Sequence, residues 1–139
     1  MSRGPENTFI GSVHKHLSPA VYHMKNHNEY VGGVADVWYD GPVRDLWVEY
    51  KFIVVPKRDD TSIDLVGGKD PIISKLQQQW LRDRYENGRN VAVIVGCKDG
   101  GVWLEHRDWE ERISAAKFRR CITTRVALAN SISELVTRG

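Results

Sequence analysis

The stretch GGVADVWYDGPVRDLWVEYKF, Gly32 to Phe52, carries two acids and a lysine at spacings that permit joint chemistry. Side chains alternate along a strand, so Trp47, Glu49 and Lys51 share one face while Val48, Tyr50 and Phe52 share the other. Asp36 falls with Val34 and Trp38 on the preceding apolar run. If the runs pair across the Asp40–Asp45 connection, Asp36 faces Glu49 and Lys51. Two carboxylates held within a few ångströms repel, and burying them unpaired costs several kcal/mol. A divalent cation removes that cost, because Mg2+ prefers carboxylate and carbonyl oxygens and keeps waters that can become nucleophiles. Lys51 could then orient or activate a water, or stabilise charge developing on a phosphate. The competing reading is an ordinary ion pair of Lys51 with Glu49 or Asp36 on a solvated face. Flanking aromatics and the helices expected over these strands weaken it.

The elements that must hold these residues follow from periodicity. Residues 5–17 predict a helix: Pro5 suits a first turn, and Phe9, Ile10, Val13 and Leu17 recur at helical spacing. Glu6 lies on the same stripe as Ile10 and Val13. Val21–Lys25, Val34–Tyr39 and Leu46–Val55 predict three strands, with Asp40-Gly41-Pro42 bending the chain between the last two. The polar segment Pro56–Asp70 reads as a loop with room to move. Pro71–Gly88 predicts a second helix with Ile73, Leu76, Trp80 and Leu81 as its buried stripe and Gly88 at its end. Asn90–Gly96 is a continuous apolar run, expected of a strand covered on both faces, and Lys98–Gly101 turns it into Val102–Glu105. Arg107–Phe118 predicts a third helix. Ser131 and Glu134 fit a capping box for a short last one. The sum is a mixed α/β domain.

The totals are compatible with this. A chain of 139 residues, 41% hydrophobic and 27% charged, suits one domain with a real core and is not disordered by composition. The net charge of +2 permits a nucleic-acid partner without demanding one. Cys97 and Cys121 have no metal-binding spacing and read as free thiols in a reducing compartment. No apolar run approaches the roughly 20 residues of a membrane span, and no secretory signal opens the chain, so the expected location is the cytoplasm.

Asp36, twelve intervening residues, then Glu49-Tyr50-Lys51 resembles the D…(D/E)-x-K signature of the PD-(D/E)XK nuclease superfamily. The order of elements matches its restriction-endonuclease-like αβββαβ core, a central mixed sheet flanked by helices. Glu6 stands where many members carry an additional metal-binding acid. SKLQQQWL, Ser74–Leu81, resembles the L-S-x-x-Q-x-x-W-L helix of the VRR-NUC branch and of small phage nucleases, which aligns Gln77 with an active-site glutamine. The alternative for Gln77 is an ordinary surface amide in the run Gln77-Gln78-Gln79. Ala35 replaces the proline of the family name, a residue that shapes backbone and does no chemistry. The likeness spans Glu6 to Glu105, within a nuclease core of residues 1–118. It leaves residues 119–139 as a basic tail packing on the core or on a dimer partner.

The resemblance implies a Mg2+-dependent DNA endonuclease, with Mn2+ able to substitute. Glu6, Asp36, Glu49 and the Tyr50 carbonyl would hold the metal, Lys51 would serve the attacking water, and Gln77 would bond near Lys51 or that water. A bare core has little surface for reading bases, so branched DNA, above all the Holliday junction, is the expected substrate. Paired incisions call for a homodimer, with the first helix and the tail's Val126, Ile132 and Leu135 as its expected surface. A phage-encoded resolvase would act in the host cytoplasm. The competing readings are a restriction- or homing-type enzyme, a DNA-binding module without catalysis, and an enzyme acting on RNA.

Phosphate contacts are expected from Lys25, from Lys57, Arg58 and Lys69 in the polar loop, and from Lys117, Arg119 and Arg120 in the KFRR cluster. That cluster could equally be a helix's basic end. His14, His16, His23 and His27 do not make a zinc site, since His14 and His16 diverge on a helix and no cysteine joins them. Gly67-Gly68-Lys69 lacks the remaining residues of a phosphate-binding P-loop. Trp80 and Trp109 read as core.

Overall fold

A computed structural model describes residues 4–26 and 32–138. His27 and the other residues of 27–31 lie outside that description. In chain order the elements are α1 (Pro5–His14), β1 (Tyr22–Lys25), β2 (Val37–Asp40), β3 (Asp45–Phe52), β4 (Ser62–Ile63), α2 (Lys75–Glu86), β5 (Val91–Cys97), β6 (Gly100–Glu105), a 3-10 turn (Asp108–Glu110), β7 (Ile113–Ser114), α3 (Ala115–Cys121) and α4 (Arg125–Thr137). A five-stranded mixed sheet runs β1-β2-β3-β5-β6, and β4 pairs with β7 in a separate ribbon. β3 and β5 are parallel, joined through α2; the other pairings are antiparallel. This is the expected α/β architecture, a central mixed sheet with helices on both faces.

Alternation along the strands builds the two layers. Val37, Tyr39, Leu46, Val48, Tyr50 and Ile94 turn to one face and pack with Phe9, Ile10 and Val13 of α1 and with Leu128, Ala129, Ile132 and Val136 of α4. Val91, Val93, Val95 and Val102 turn to the other, under Leu81 of α2, Trp109 and Phe118. The β5 run is buried throughout, as a strand covered on both faces should be. Glycine makes room where α1 meets the sheet: a Cβ at Gly96 would lie 2.8 Å from the Phe9 ring. Cys97 is buried and Cys121 exposed, both as free thiols.

Four expectations need correction. Arg107–Phe118 is not one helix. Trp109 sits buried in the 3-10 turn, Ile113 pairs with Ile63, and α3 starts only at Ala115, capped by the Ser114 hydroxyl. Pro56–Asp70 is no free loop either: β4 ties it to β7, Ile63 and Leu65 are buried, and Asp64 accepts the Val66 and Gly67 N–H groups. On α2 the exposed residue is Leu76, at 65%, while Gln78 is buried and donates to the Val66 and Ile73 carbonyls. Finally, the last helix starts at Arg125 under a Thr124 cap, so Ser131 lies inside it. Its Ile132 is fully buried and so not available to a partner chain, while Leu135 is half-buried against the core.

Candidate active site

Glu49 is the centre of the arrangement. Its side chain is only 1% exposed, yet it carries a carboxyl group. Lys51, two residues on and on the same face, places Nζ 3.2 Å from Glu49 Oε2. Gln77 Nε2 donates to the same oxygen at 3.2 Å. Glu49 Oε1 is buried with no hydrogen-bond partner among the described residues.

Gln77 is held from both ends. It is the third residue of α2, in a capping box where Ser74 Oγ accepts the Gln77 N–H and Gln77 Oε1 accepts the Ser74 N–H. Its amide nitrogen is left to Glu49. The helix start thus fixes the rotamer that reaches the strand.

Asp36 immediately precedes β2 and is half-buried. Trp47 and Ile53 give their N–H groups to carbonyls on the β5 side, so the residues between them of even number turn N–H and C=O towards β2. β2 leaves β3 after Val37↔Val48. The Tyr50 N–H, beyond that point, is taken by Asp36 Oδ2 at 2.9 Å, and the Tyr50 carbonyl turns to the same open side. Asp36 also comes within hydrogen-bonding reach of Glu6 and of Glu49. Glu6 arrives from the first turn of α1, on the same stripe as Phe9 and Val13. The site therefore sits where β2 and β3 part, reached by α1 from one layer and α2 from the other.

Three acids this close cannot all ionise in a buried setting. Burial, then the Asp36 charge, pushes the Glu49 carboxyl up to about 9 despite Lys51. Burial and Asp36 also raise Glu6 above the usual carboxylate range, against Lys51 and Lys25. Without another partner, the cluster holds its charge down by retaining protons. Among the described residues no group of three or more His, Cys, Asp or Glu side chains is arranged to hold a metal as it stands. The donor chemistry nevertheless fits a hard divalent cation: carboxylate oxygens with an orphaned buried Glu49 Oε1 and an open carbonyl beside them. Glu49 would have to give up its proton to bind one.

Behind the strand lies a polar chain that alternation alone did not reveal. Tyr50 Oη and Tyr39 Oη are 2.6 Å apart, and His14 Nε2 is 2.7 Å from Tyr39 Oη. Burial, followed by His23 and Lys25, lowers the His14 pKa to about 4. His14 and His23 stack at 4.3 Å between centroids. His16 is exposed on the turn after α1.

Of the expected phosphate contacts, only Lys25 is drawn to the cluster, where its charge acts on Glu6 while Nζ bonds Asn7 Oδ1. Arg58 pairs with Asp60, and Arg119 with Asp59 and the Pro56 carbonyl. Lys57, Lys69 and Arg120 are exposed. Lys117 lines a cleft of about 530 Å3 beside Trp103, Asp108 and Cys121, which contains none of Glu6, Asp36, Glu49 or Lys51.

The fold places the chain in the restriction-endonuclease-like class. A solved structure with the same arrangement is Hjc of Archaeoglobus fulgidus, a Holliday junction resolvase from an archaeal hyperthermophile. The match has a TM-score of 0.53 over 91% of this chain and 97% of that one, at 11% identity. No family model and no curated protein matches the sequence. Among the described residues no helix is long and apolar enough to cross a membrane.

Proposed function

We propose that this protein is a Mg2+-dependent DNA endonuclease that hydrolyses phosphodiester bonds in branched DNA, with the four-way junction as its substrate. The observation that carries the reading is the buried Glu49. It has one oxygen clamped by Lys51 and Gln77 and the other unpartnered, in reach of Asp36 on the open side of β3. The gathering of a second and third acid beside the Lys51–Glu49 pair favours a metal site over a structural ion pair. The fold shared with an archaeal resolvase supports the branched substrate. The Ser74–Leu81 motif supports the phage-type, VRR-NUC-like branch.

Glu6, Asp36, Glu49 and the Tyr50 carbonyl would hold the cation. Bound there, Mg2+ supplies charge neutralisation at the phosphate and lowers the pKa of water. Asp36 is kept in place by the Tyr50 N–H, and Gln77 fixes the Glu49 rotamer so that Oε1 stays directed at the site. Lys51 keeps its ammonium beside Glu49, where it can orient the attacking water and stabilise charge growing on the phosphate. A sequence-reading alternative would use Pro56–Asp70 as a base-reading loop, but that segment is pinned to β7.

The test is cleavage of labelled junction, flap, duplex and single-stranded DNA, and of duplex RNA, with and without Mg2+. Metal-dependent cutting of the junction in preference to linear duplex is expected. Asp36→Ala and Glu49→Ala should each abolish cutting and leave binding intact or tighter, because repulsion of the phosphate falls. An Asp36→Ala protein that cuts at the wild-type rate overturns the site.

A further inference from the structure

One cation near the site has no acid to balance it. Arg125 opens α4 and is half-buried. Its guanidinium lies 5.0 Å over the centre of the Phe9 ring, Nε donates to Ser12 Oγ at 2.8 Å, and NH2 reaches the Cys97 carbonyl at 3.5 Å. All three partners are neutral. Among the described residues no carboxylate pairs with it. A surface arginine held only for its charge would be mobile and solvated. Here the contact with the Phe9 ring and two hydrogen bonds hold the group in place.

What it faces is a groove of about 380 Å3 lined by Pro5, Thr8, Phe9, Ser12, Phe52 and Arg125. The α1 wall of the groove leads to the acidic cluster, since Pro5 precedes Glu6 in the first turn, while Phe52 turns to the opposite face of β3 from Glu49 and Lys51. A strand leaving the cluster past the start of α1 would enter the groove. Half its lining is apolar, from Pro5, Phe9 and Phe52; the Ser12 hydroxyl already donates to the Phe9 carbonyl, so the groove offers a ligand the Arg125 guanidinium and the Thr8 hydroxyl, and no acid. An extended polyanion is the ligand that suits this set, with an oxygen of each phosphate accepting from the free guanidinium N–H groups and the Thr8 hydroxyl.

We propose that the Arg125 groove is a substrate-strand subsite, in which Arg125 binds the phosphate neighbouring the one to be cleaved. This rests on the nuclease reading above, and the assays separate the two. Arg125 is a binding residue and takes no part in the bond breaking. Because its contact is with backbone, its contribution does not depend on base sequence.

Binding of labelled junction and duplex is followed by anisotropy across a KCl series, using wild type, Arg125→Gln and Arg125→Lys, with thermal melts on all three. Arg125→Gln should weaken binding roughly three- to tenfold on both DNAs and reduce the slope of log affinity against log salt by about one, the signature of one lost phosphate contact. Arg125→Lys, which keeps the charge without the planar fork, should recover the slope. The second measurement needs no variant. Wild-type protein is given DNA with a neutral methylphosphonate at successive positions around the cut, and one position next to the cut should show the same loss. A folded Arg125→Gln with unchanged affinity and slope overturns the subsite and leaves the nuclease reading standing. So does a methylphosphonate scan with no sensitive neighbour, which decides the matter if Arg125→Gln does not fold. Wild-type protein that binds none of these DNAs overturns both.

Discussion

At the scale of single residues, Glu49 contributes stability that falls as pH rises. Its folded pKa, about 9, stands above the 4.5 of a free glutamate. The folded state therefore holds a proton that the unfolded chain releases, and stability is lost as pH rises between those values. Glu6 acts with the same sign. In chelator, the melting temperature should fall as pH is raised from about 5 to about 9, and Glu49→Gln should flatten that fall. A wild-type profile that is flat or rising across this window would show that the buried carboxyl is already matched by charge. Mg2+ should stabilise the protein most at the alkaline end, where the acids have given up their protons. Lys51 is exposed to a different test. Because it acts on charge that grows during the reaction, Lys51→Ala should lower turnover by orders of magnitude with little change in DNA affinity. A variant that loses affinity alone would assign Lys51 to plain phosphate binding.

At the scale of elements, α4 is the piece that the local sequence disguised, and it carries the sharpest stability prediction. Its Leu128, Ala129, Ile132 and Val136 fill the space between α1 and the sheet. A chain ending near Phe118 should therefore lose cooperative unfolding rather than shed an appendage. Ile132→Ala should cost about 2–5 kcal/mol, read from denaturant melts, as a buried large-to-small change does. A truncated chain with an unchanged melting profile would show α4 to be dispensable. The same helix illustrates what the sequence could disclose. Strand alternation made Asp36, Glu49 and Lys51 legible as a group, and the family likeness added Glu6 and Gln77; the structure brings all five together. Elements set by distant contacts were not legible. Two residues suffice for β4 and two for β7, too few to show a period, and their pairing spans the chain from Ile63 to Ile113. Trp109 and Ile113 fit a helical spacing, but the Ser114 cap and the β4 pairing override it. Gln78 is buried where Leu76 was expected because it answers carbonyls of the preceding segment, Val66 and Ile73, which no helical wheel includes. Arg125 looked like one more basic residue of a tail; only the packing of α4 on α1 brings it over Phe9.

On the scale of the whole molecule, the sheet gathers the ends that matter on one side. The starts of α1 and α2 supply Glu6 and Gln77, and the start of α4 supplies Arg125, beside the C-terminal ends of the parallel pair β3 and β5. Three helix starts bring their positive ends to the side where phosphates would lie, which assists a chain whose net charge is only +2. One such face has one cluster of acids, whereas resolving a four-way junction needs symmetric cuts in two strands. A two-fold dimer supplies that geometry. Of the surface expected of the tail, Ile132 is interior, which leaves the half-buried Leu135 and the exposed Val126. A dimer that resolves junctions would draw on other surfaces as well, and the test is best made without presuming which. Light scattering at micromolar concentration, alone and with junction DNA, should give twice the mass of 15.9 kDa for the protein component. Mixing wild type with excess Asp36→Ala should then yield junctions nicked in one strand only. If the intact chain stays monomeric on the junction and the mixture still resolves it by paired cuts, each protomer acts alone, and the substrate is better sought among flaps and nicked duplexes.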